Sequence, residues 1–159
     1  MKEFALIEQW AEDRNLVEGS TGAAQMLKLY EEFGELAGGL ARSDMSVVKD
    51  SVGDVIVVLT IVAAQAGFSI RKGPVMHIAG DERAIMCQMG EYIGFLANAA
   101  RTQSTTEAAH VPFIMGALQA LCEQIDVDVD ECIRLAYDDI KDRKGQMVDG
   151  VFIKEEDLK

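Results

Sequence analysis

The chain has 159 residues, 49% of them hydrophobic, which predicts one domain over residues 1–159 with a substantial core. Its net charge of −12 argues against nonspecific binding to nucleic acid, and no apolar stretch approaches the ~20 residues that cross a membrane. Three cysteines without metal-ligand spacing predict reduced core thiols, and the acidic N-terminal segment is unlike a signal peptide, so we expect a cytoplasmic protein.

Apolar periodicity predicts helices through most of the chain, which contains only two prolines. A short amphipathic helix is expected at 3–14, followed by a polar, glycine-bearing loop. The next two helices are expected at about 23–42 and 47–67, with a short turn between them. Apolar residues of the first recur in steps of three and four, and segment 55–64 of the second is uncharged all round. That second helix is therefore predicted to be central in the fold.

The second half of the chain begins at a boundary rich in glycine and proline, residues 71–80. Three more helices are expected beyond it, at about 81–101, 112–124 and 129–144. The first two are joined by a Thr- and Ser-rich stretch at 102–106. The tail at 145–159 is expected to be a glycine-flanked extension with an acidic end. These elements predict an all-α fold.

The two halves also resemble each other at an offset of about 60 residues. Identical residue types recur at this offset for Met26, Glu31, Gly34, Leu36 and Ala37. Two unrelated amphipathic helices can match as well as this, so chance is the other interpretation. A duplication predicts two helix pairs in one intrachain four-helix bundle, with N- and C-terminal helices added. The second pair then lacks the acids of the first, since Phe95 replaces Glu35 and Ile114 replaces Asp54.

Five carboxylates on the first helix pair are the strongest functional signal. Glu32 and Glu35 lie on one helical face at the flank of the apolar stripe, with Glu31 slightly further round. On the next helix, Asp50 and Asp54 are four residues apart. Asp54 adjoins the most apolar segment, where an unpaired carboxylate costs several kcal/mol. A solvated helix face is the alternative, and it explains the glutamates alone better than it explains the full set.

Side-by-side packing of these two helices would bring the five carboxylates together. Gly39, one turn beyond Glu35, keeps this flank of the helix thin and is expected to let something approach it closely. Lys28 and Lys49 are the local lysines and are too few to neutralise the cluster. Oxygen ligands without histidine or thiolate suit Mg²⁺, with Mn²⁺ as an alternative. Such a cation would also let an acidic protein bind a phosphate substrate.

The carboxylates form a motif pair, EExxE followed by DxxGD, within the strings LKLYEEFGELA and VVKDSVGDVIVVLT. The pair resembles that of the MazG-like branch of all-α nucleoside triphosphate pyrophosphohydrolases, particularly its phage-encoded proteins. The C-terminal string LAYDDIKDRKGQMVDGVFIKEEDL is similar to the same branch, so the resemblance extends from Trp10 to Leu158. It implies hydrolysis of a nucleoside triphosphate, with a dNTP as the expected substrate, to the monophosphate and pyrophosphate. It also implies a homodimer.

The resemblance implies metal ligands at Glu32, Glu35 and Asp54. Glu31 takes the place of either an additional ligand or the base that activates water. The family's second motif is usually ExxD, but Ser51 stands three residues before Asp54. Asp50 is on the same face and is expected to substitute. This departure leaves the number of bound metal ions open.

The last predicted helix carries residues suited to phosphate. Asp138, Lys141 and Lys144 recur every three residues, with Arg143 nearby. The family often has an NxxK pattern here that contacts substrate, and Asp138 stands in place of the Asn. Basic residues are also favoured at any helix C-terminus by the helix dipole, so this is the alternative explanation. Trp10 is a further candidate, either stacking on a nucleobase or packing in the core.

Two other functions are compatible with these residues. One is a non-catalytic regulator that binds nucleotide or metal on the same bundle, because fold alone does not determine function. The other is a carboxylate-bridged redox metalloprotein, which the shortage of histidines disfavours. Pyrophosphate release from a panel of nucleotides distinguishes the three.

Overall fold

Helices make up most of the protein, as the apolar periodicity predicts. The computed structural model describes residues 2–103 and 107–158, and these ranges contain seven α-helices and one β-hairpin. The helices are α1 (Lys2–Asp13), α2 (Leu16–Gly19), α3 (Gly22–Arg42), α4 (Met45–Gln65), α5 (Glu82–Thr102), α6 (Val111–Gln124) and α7 (Val129–Ile140). The hairpin strands are β1 (Gly145–Val148) and β2 (Val151–Lys154). The all-α fold class is confirmed.

Capping residues fix the hairpin formed by α3 and α4. The Thr21 side chain accepts a hydrogen bond from the first turn of α3. The helix ends at Arg42, because the next residue, Ser43, has a left-handed backbone conformation. The Asp44 carboxylate then accepts hydrogen bonds from the backbone N–H groups of Ser46 and Val47. A link of two residues makes α3 and α4 antiparallel neighbours, as predicted.

Helix α4 is the centre of the molecule. It packs against α1, α2, α3, α6 and α7. Within residues 51–63, every residue except Asp54 is buried. Burying a large aliphatic side chain contributes roughly 1.5–3 kcal/mol, so this helix supplies much of the core energy. Among the helices of the described ranges, none is both long and apolar enough to cross a membrane.

Two glycines allow the neighbours of α4 to approach closely. A Cβ atom at Gly39 would lie 3.0 Å from the Val48 side chain, so Gly39 permits the close approach predicted for it. A Cβ atom at Gly53 would lie 2.6 Å from the carbonyl oxygen of Cys132 and 2.7 Å from the Ala136 side chain. Glycine at position 53 therefore lets the backbone of α7 rest on α4.

The second helix pair, α5 and α6, has helix termini that match those of the first pair, α3 and α4. Helix α5 begins and ends 60 residues after α3. Thr21 and Asp81 both cap by accepting backbone hydrogen bonds, and Ser43 and Gln103 both end their helices with positive φ angles of 54° and 52°. These matched termini support the duplication over a chance match.

Helices α4 and α6 match at an offset of 59. Each is followed by a residue with positive φ, Gly67 at 80° and Asp126 at 57°. The residue after each donates a hydrogen bond back to the helix, from Phe68 to Ala63 at 3.1 Å and from Val127 to Cys122 at 2.9 Å. This register makes Phe113, not Ile114, the counterpart of Asp54. Helix α5 packs on α3 and α6 on α4 within the same chain, as the duplication predicts.

Three predictions about local structure need correction. The polar loop after α1 contains the short helix α2, the last helix ends at Ile140 instead of 144, and the tail is a β-hairpin. Cys122 and Cys132 are buried as predicted, but Cys87 is exposed. Residues 104–106 of the predicted Thr- and Ser-rich connection lie outside the described ranges.

Candidate functional site

A cavity of about 590 Å³ lies between α1, α3, α4, the end of α7 and the C-terminal hairpin. Its ionisable lining residues are Lys28, Glu31, Glu32, Glu35, Asp50, Asp54, Asp139, Arg143, Lys154 and Asp157. All five carboxylates singled out in the sequence are among them. Seven acids face three basic groups, a formal excess of four negative charges, so the cavity suits a cation.

The α3 wall of the cavity contains a buried ion pair. Glu32 is only 3% exposed, and its Oε1 lies 2.6 Å from Lys28 Nζ. The same ammonium donates a hydrogen bond to Glu31 at 2.8 Å. Burial raises the pKa of Glu32, and the hydrogen bond from Lys28 offsets this only in part. Burial lowers the pKa of Lys28, but its two glutamate partners outweigh burial, and the net shift is upward.

The α4 wall presents Asp54 from the middle of a buried stretch. Burial raises the pKa of the Asp54 carboxyl to about 7, and the charges of Glu32 and Asp50 push it the same way. Lys28 and Arg143 oppose the rise without cancelling it. The ionised carboxylate is therefore short of positive charge at neutral pH.

Side-chain positions in the cavity are not those of a formed metal site. Across residues 2–103 and 107–158, no group of three or more His, Cys, Asp and Glu side chains is arranged to hold a metal ion. Glu31 and Glu32 are directed instead to Lys28, while Glu35 and Asp50 are exposed at the cavity edge. Ser51, where the family usually has an acid, is 1% exposed.

The predicted substrate residues separate into two groups. Trp10 and Arg143 line the cavity, whereas Asp138, Lys141 and Lys144 do not. Lys141 forms an ion pair with Asp138 at 2.6 Å on the surface, and Lys144 borders an open depression that adjoins the cavity at Arg143 and Lys154. The three-residue spacing does not persist because α7 ends at Ile140.

Several cavity residues were missed by the sequence interpretation. Asp139, Lys154 and Asp157 line the cavity, and the hairpin that supplies Lys154 was predicted only as a glycine-flanked extension with an acidic end. Its turn consists of Asp149 and Gly150, both with positive φ, as two-residue hairpin turns require. Asp-Gly between two short apolar segments is a recognised hairpin signal and could have revealed it.

Arg14 connects the N-terminal helix to the segment that carries Arg143. Its Nε donates to the carbonyl oxygen of Arg143 at 2.8 Å, and its Nη2 donates to that of Lys141 at 3.1 Å. Its guanidinium also lies 4.9 Å from the centre of the Trp10 ring. Trp10 meets Phe152 edge to face at 6.2 Å. These contacts favour packing over base stacking for Trp10.

The comparisons with known proteins give a phage relative. A segment of 59 residues is 61% identical to a protein of Haemophilus phage HP1 (strain HP1c1), described as an uncharacterized 18.2 kDa protein in the rep-hol intergenic region. The match covers 37% of this chain and 36% of the relative, so the chain spans about a third of that protein's length. No family model and no solved structure matches. The similarity to this protein supports an association with phage.

Proposed function

We propose that this chain is a Mg²⁺-dependent nucleoside triphosphate pyrophosphohydrolase, for which Mn²⁺ can replace Mg²⁺ and a dNTP is the expected substrate. The observation that carries the proposal is the cavity in which acids of α3 and α4 share space with Arg143 and Lys154. Acids alone would suit a metal ion, and basic groups alone would suit an anion. Their combination suits the complex of a metal ion with a triphosphate.

The donor set of the cavity fits Mg²⁺. Glu32, Glu35 and Asp54, with Asp50 beside them, offer oxygen ligands alone, and no described lining residue is a histidine or cysteine. The shortage of positive charge at Asp54 is what a metal-binding carboxylate cluster has before it is loaded. When bound, Mg²⁺ neutralises the triphosphate oxygens and withdraws charge as the anhydride bond breaks.

The remaining polar groups have separate tasks in this proposal. Glu31 or Asp50, both exposed to the cavity, orients the attacking water and accepts its proton. Arg143 and Lys154 hold the two phosphates that depart as pyrophosphate when the bond between the α and β phosphates breaks. Arg14 holds the backbone of Arg143 through its carbonyl oxygen, and the Arg143 guanidinium donates a hydrogen bond to the cavity acid Asp139.

Pyrophosphate release from a panel of NTPs and dNTPs with Mg²⁺ tests the proposal. We expect turnover by the wild type and a loss of at least about 100-fold in Asp54→Asn, which keeps the shape but removes a ligand charge. Asp126→Asn is the matched control. Asp126 is exposed and has a φ of 57°, a conformation that Asn adopts readily, so this variant should retain activity.

The same assay distinguishes the rival functions. Nucleotide binding without pyrophosphate release from any substrate would identify a regulator and reject the enzyme. Near-normal activity of Asp54→Asn would reject the metal assignment. No pyrophosphate release together with binding of iron in preference to Mg²⁺ would favour the carboxylate-bridged redox protein.

A further inference from the structure

Lys28 occupies an unusual place for a lysine of an acidic cavity. Its ammonium lies between Glu31 and Glu32, at 2.8 and 2.6 Å, while its side chain is 49% exposed along the cavity wall. The side chain is thus partly accessible, while its ammonium is held by two motif carboxylates. A surface ion pair of this spacing contributes little to stability, but the buried partner Glu32 makes this pair different.

The ammonium would compete with a metal ion for Glu32. Lys28 Nζ lies 2.6 Å from Glu32 Oε1. A Mg²⁺ ion bound to that same oxygen at ~2.1 Å would be about 4 Å from Nζ, and the two cations would repel each other. Metal binding at Oε1 would therefore favour departure of the lysine from Glu32.

A displaced Lys28 ammonium has an alternative binding partner in the same cavity, the phosphate chain of the substrate. The Lys28 side chain is about half exposed, and it lines the cavity that Arg143 and Lys154 also line. A released ammonium carries three hydrogen-bond donors and is a common ligand of phosphate oxygens. Departure from Glu32 thus frees a phosphate-binding group at the moment when the metal arrives.

We propose that Lys28 is the internal counter-cation of the carboxylate site, which competes with the metal for Glu32 and binds the phosphate chain once displaced. The inference rests on the proposed function, because it needs the metal and the phosphate to share this cavity. It adds a residue that lowers metal affinity in the empty protein and raises phosphate affinity in the loaded one.

Binding of Mn²⁺ alone, measured by the loss of free-ion EPR signal at pH 8, tests the competition. We expect Lys28→Met to bind Mn²⁺ about tenfold more tightly than the wild type, because a competing and repelling cation has been removed. Lys72→Met is the matched control for the loss of one positive charge, since Lys72 is exposed and does not line the cavity. Its Mn²⁺ affinity should stay within about twofold of wild type. Lys28→Gln repeats the test with a polar side chain.

Pyrophosphate binding at saturating Mn²⁺, measured by calorimetry, tests whether Lys28 binds phosphate. Here we expect Lys28→Met to bind about tenfold more weakly, and Lys28→Arg to recover much of the loss because it restores the charge. Opposite changes for metal and pyrophosphate would support the proposal, since damage to the fold would weaken both.

Other outcomes would overturn the proposed role of Lys28, and they show whether the proposed function fails with it. Mn²⁺ affinity that is unchanged or weaker in both Lys28→Met and Lys28→Gln would reject the competition and leave the proposed function intact. Tighter Mn²⁺ binding with unchanged pyrophosphate binding would reject the phosphate role. A wild type that binds no Mn²⁺ would overturn both this inference and the metal site on which it rests.

Discussion

Asp54 is the residue on which burial and charge act most strongly. Its neighbours along α4 from 51 to 63 are all buried, and the acids Glu32 and Asp50 lie close enough to raise its pKa further. A hydrophobic residue at position 54 would avoid the desolvation free energy of a buried charge, so the carboxylate lowers the stability of the metal-free protein. Local costs of this kind are typical of functional sites.

The metal-free protein should lose stability as pH rises through the titration of Asp54. The pKa of Asp54 is about 7 in the folded state and near the ordinary aspartate value of 3.8 in the unfolded state. Between these values the folded protein binds more protons, so unfolding becomes easier with increasing pH, and above pH 7 the penalty is complete. In EDTA, we expect Asp54→Asn to raise the Tm by roughly 3–8 °C at pH 8 and to change it little near pH 4.

Asp126→Asn controls for the loss of one negative charge in the same melting experiments. Because Asp126 is exposed, this variant should change the Tm by only a small amount at both pH values. Equal stabilisation by Asp54→Asn at pH 4 and pH 8 would contradict the titration and would point to a packing effect.

At the scale of elements, the contact between α4 and α7 positions the side of the cavity that carries Arg143, the proposed phosphate ligand. Gly53 lets the α7 backbone lie directly on α4, and the Lys49–Glu131 ion pair at 3.0 Å joins the same two helices. The end of α7 then presents Asp139, and the segment after it presents Arg143, to the carboxylates of α4. One glycine thus sets the distance between the acidic and basic walls.

Gly53→Ala should separate these helices and destabilise the protein. The added methyl would meet Cys132 and Ala136 at under 3 Å, and overpacking of this kind costs about 1–3 kcal/mol. Gly94→Ala is the matched control, because Gly94 also lies inside a helix but has nothing within 4 Å of the added atom. Helix propensity should stabilise that variant by about 0.5–1 kcal/mol. Urea unfolding measures both, and equal effects of the two variants would contradict the close contact.

The sequence predicted the helices well because their signals are local. Capping residues and apolar steps of three and four residues lie within each helix, so α3 and α4 were predicted to within a few residues. The end of α7 depends on distant residues. Arg14 hydrogen-bonds the carbonyl oxygens of Lys141 and Arg143 in the segment beyond Ile140, where the helix stops, and no local pattern reveals a partner 127 residues away.

The residues of the candidate site likewise fall into those predictable from local sequence signals and those that depend on tertiary packing. The convergence of the five acids followed from helical phase and from the short α3–α4 link, both readable in the sequence. Lys154 and Asp139 could not be assigned, because their position depends on how α7 and the hairpin pack across the bundle. Lys28 was visible as a local lysine, but its hydrogen bonds to Glu31 and Glu32 emerge only from side-chain geometry.

At the scale of the whole molecule, the two helix pairs have diverged in their polar positions. Tyr92 and Phe113, with ring centres 5.7 Å apart, stand at the positions of Glu32 and Asp54 in the first pair. Phe95 replaces the last motif glutamate and stacks against a histidine. The second pair supports the bundle without repeating the carboxylate cluster. One cavity per chain is therefore the expected number of sites.

That cavity is built from α1, α3, α4, α7 and the hairpin of a single chain, so each chain should act alone even in a homodimer. Mixing two inactive variants tests this. Asp54→Asn and Arg143→Met, unfolded and refolded together, should show no more pyrophosphate release than either alone, since each chain lacks one necessary group. If a partner subunit supplied Arg143, mixed dimers would contain one intact site, and activity would recover to about a quarter of the wild-type value. Such recovery would contradict the intrachain site. Wild type mixed with either variant and refolded in the same way controls for refolding yield.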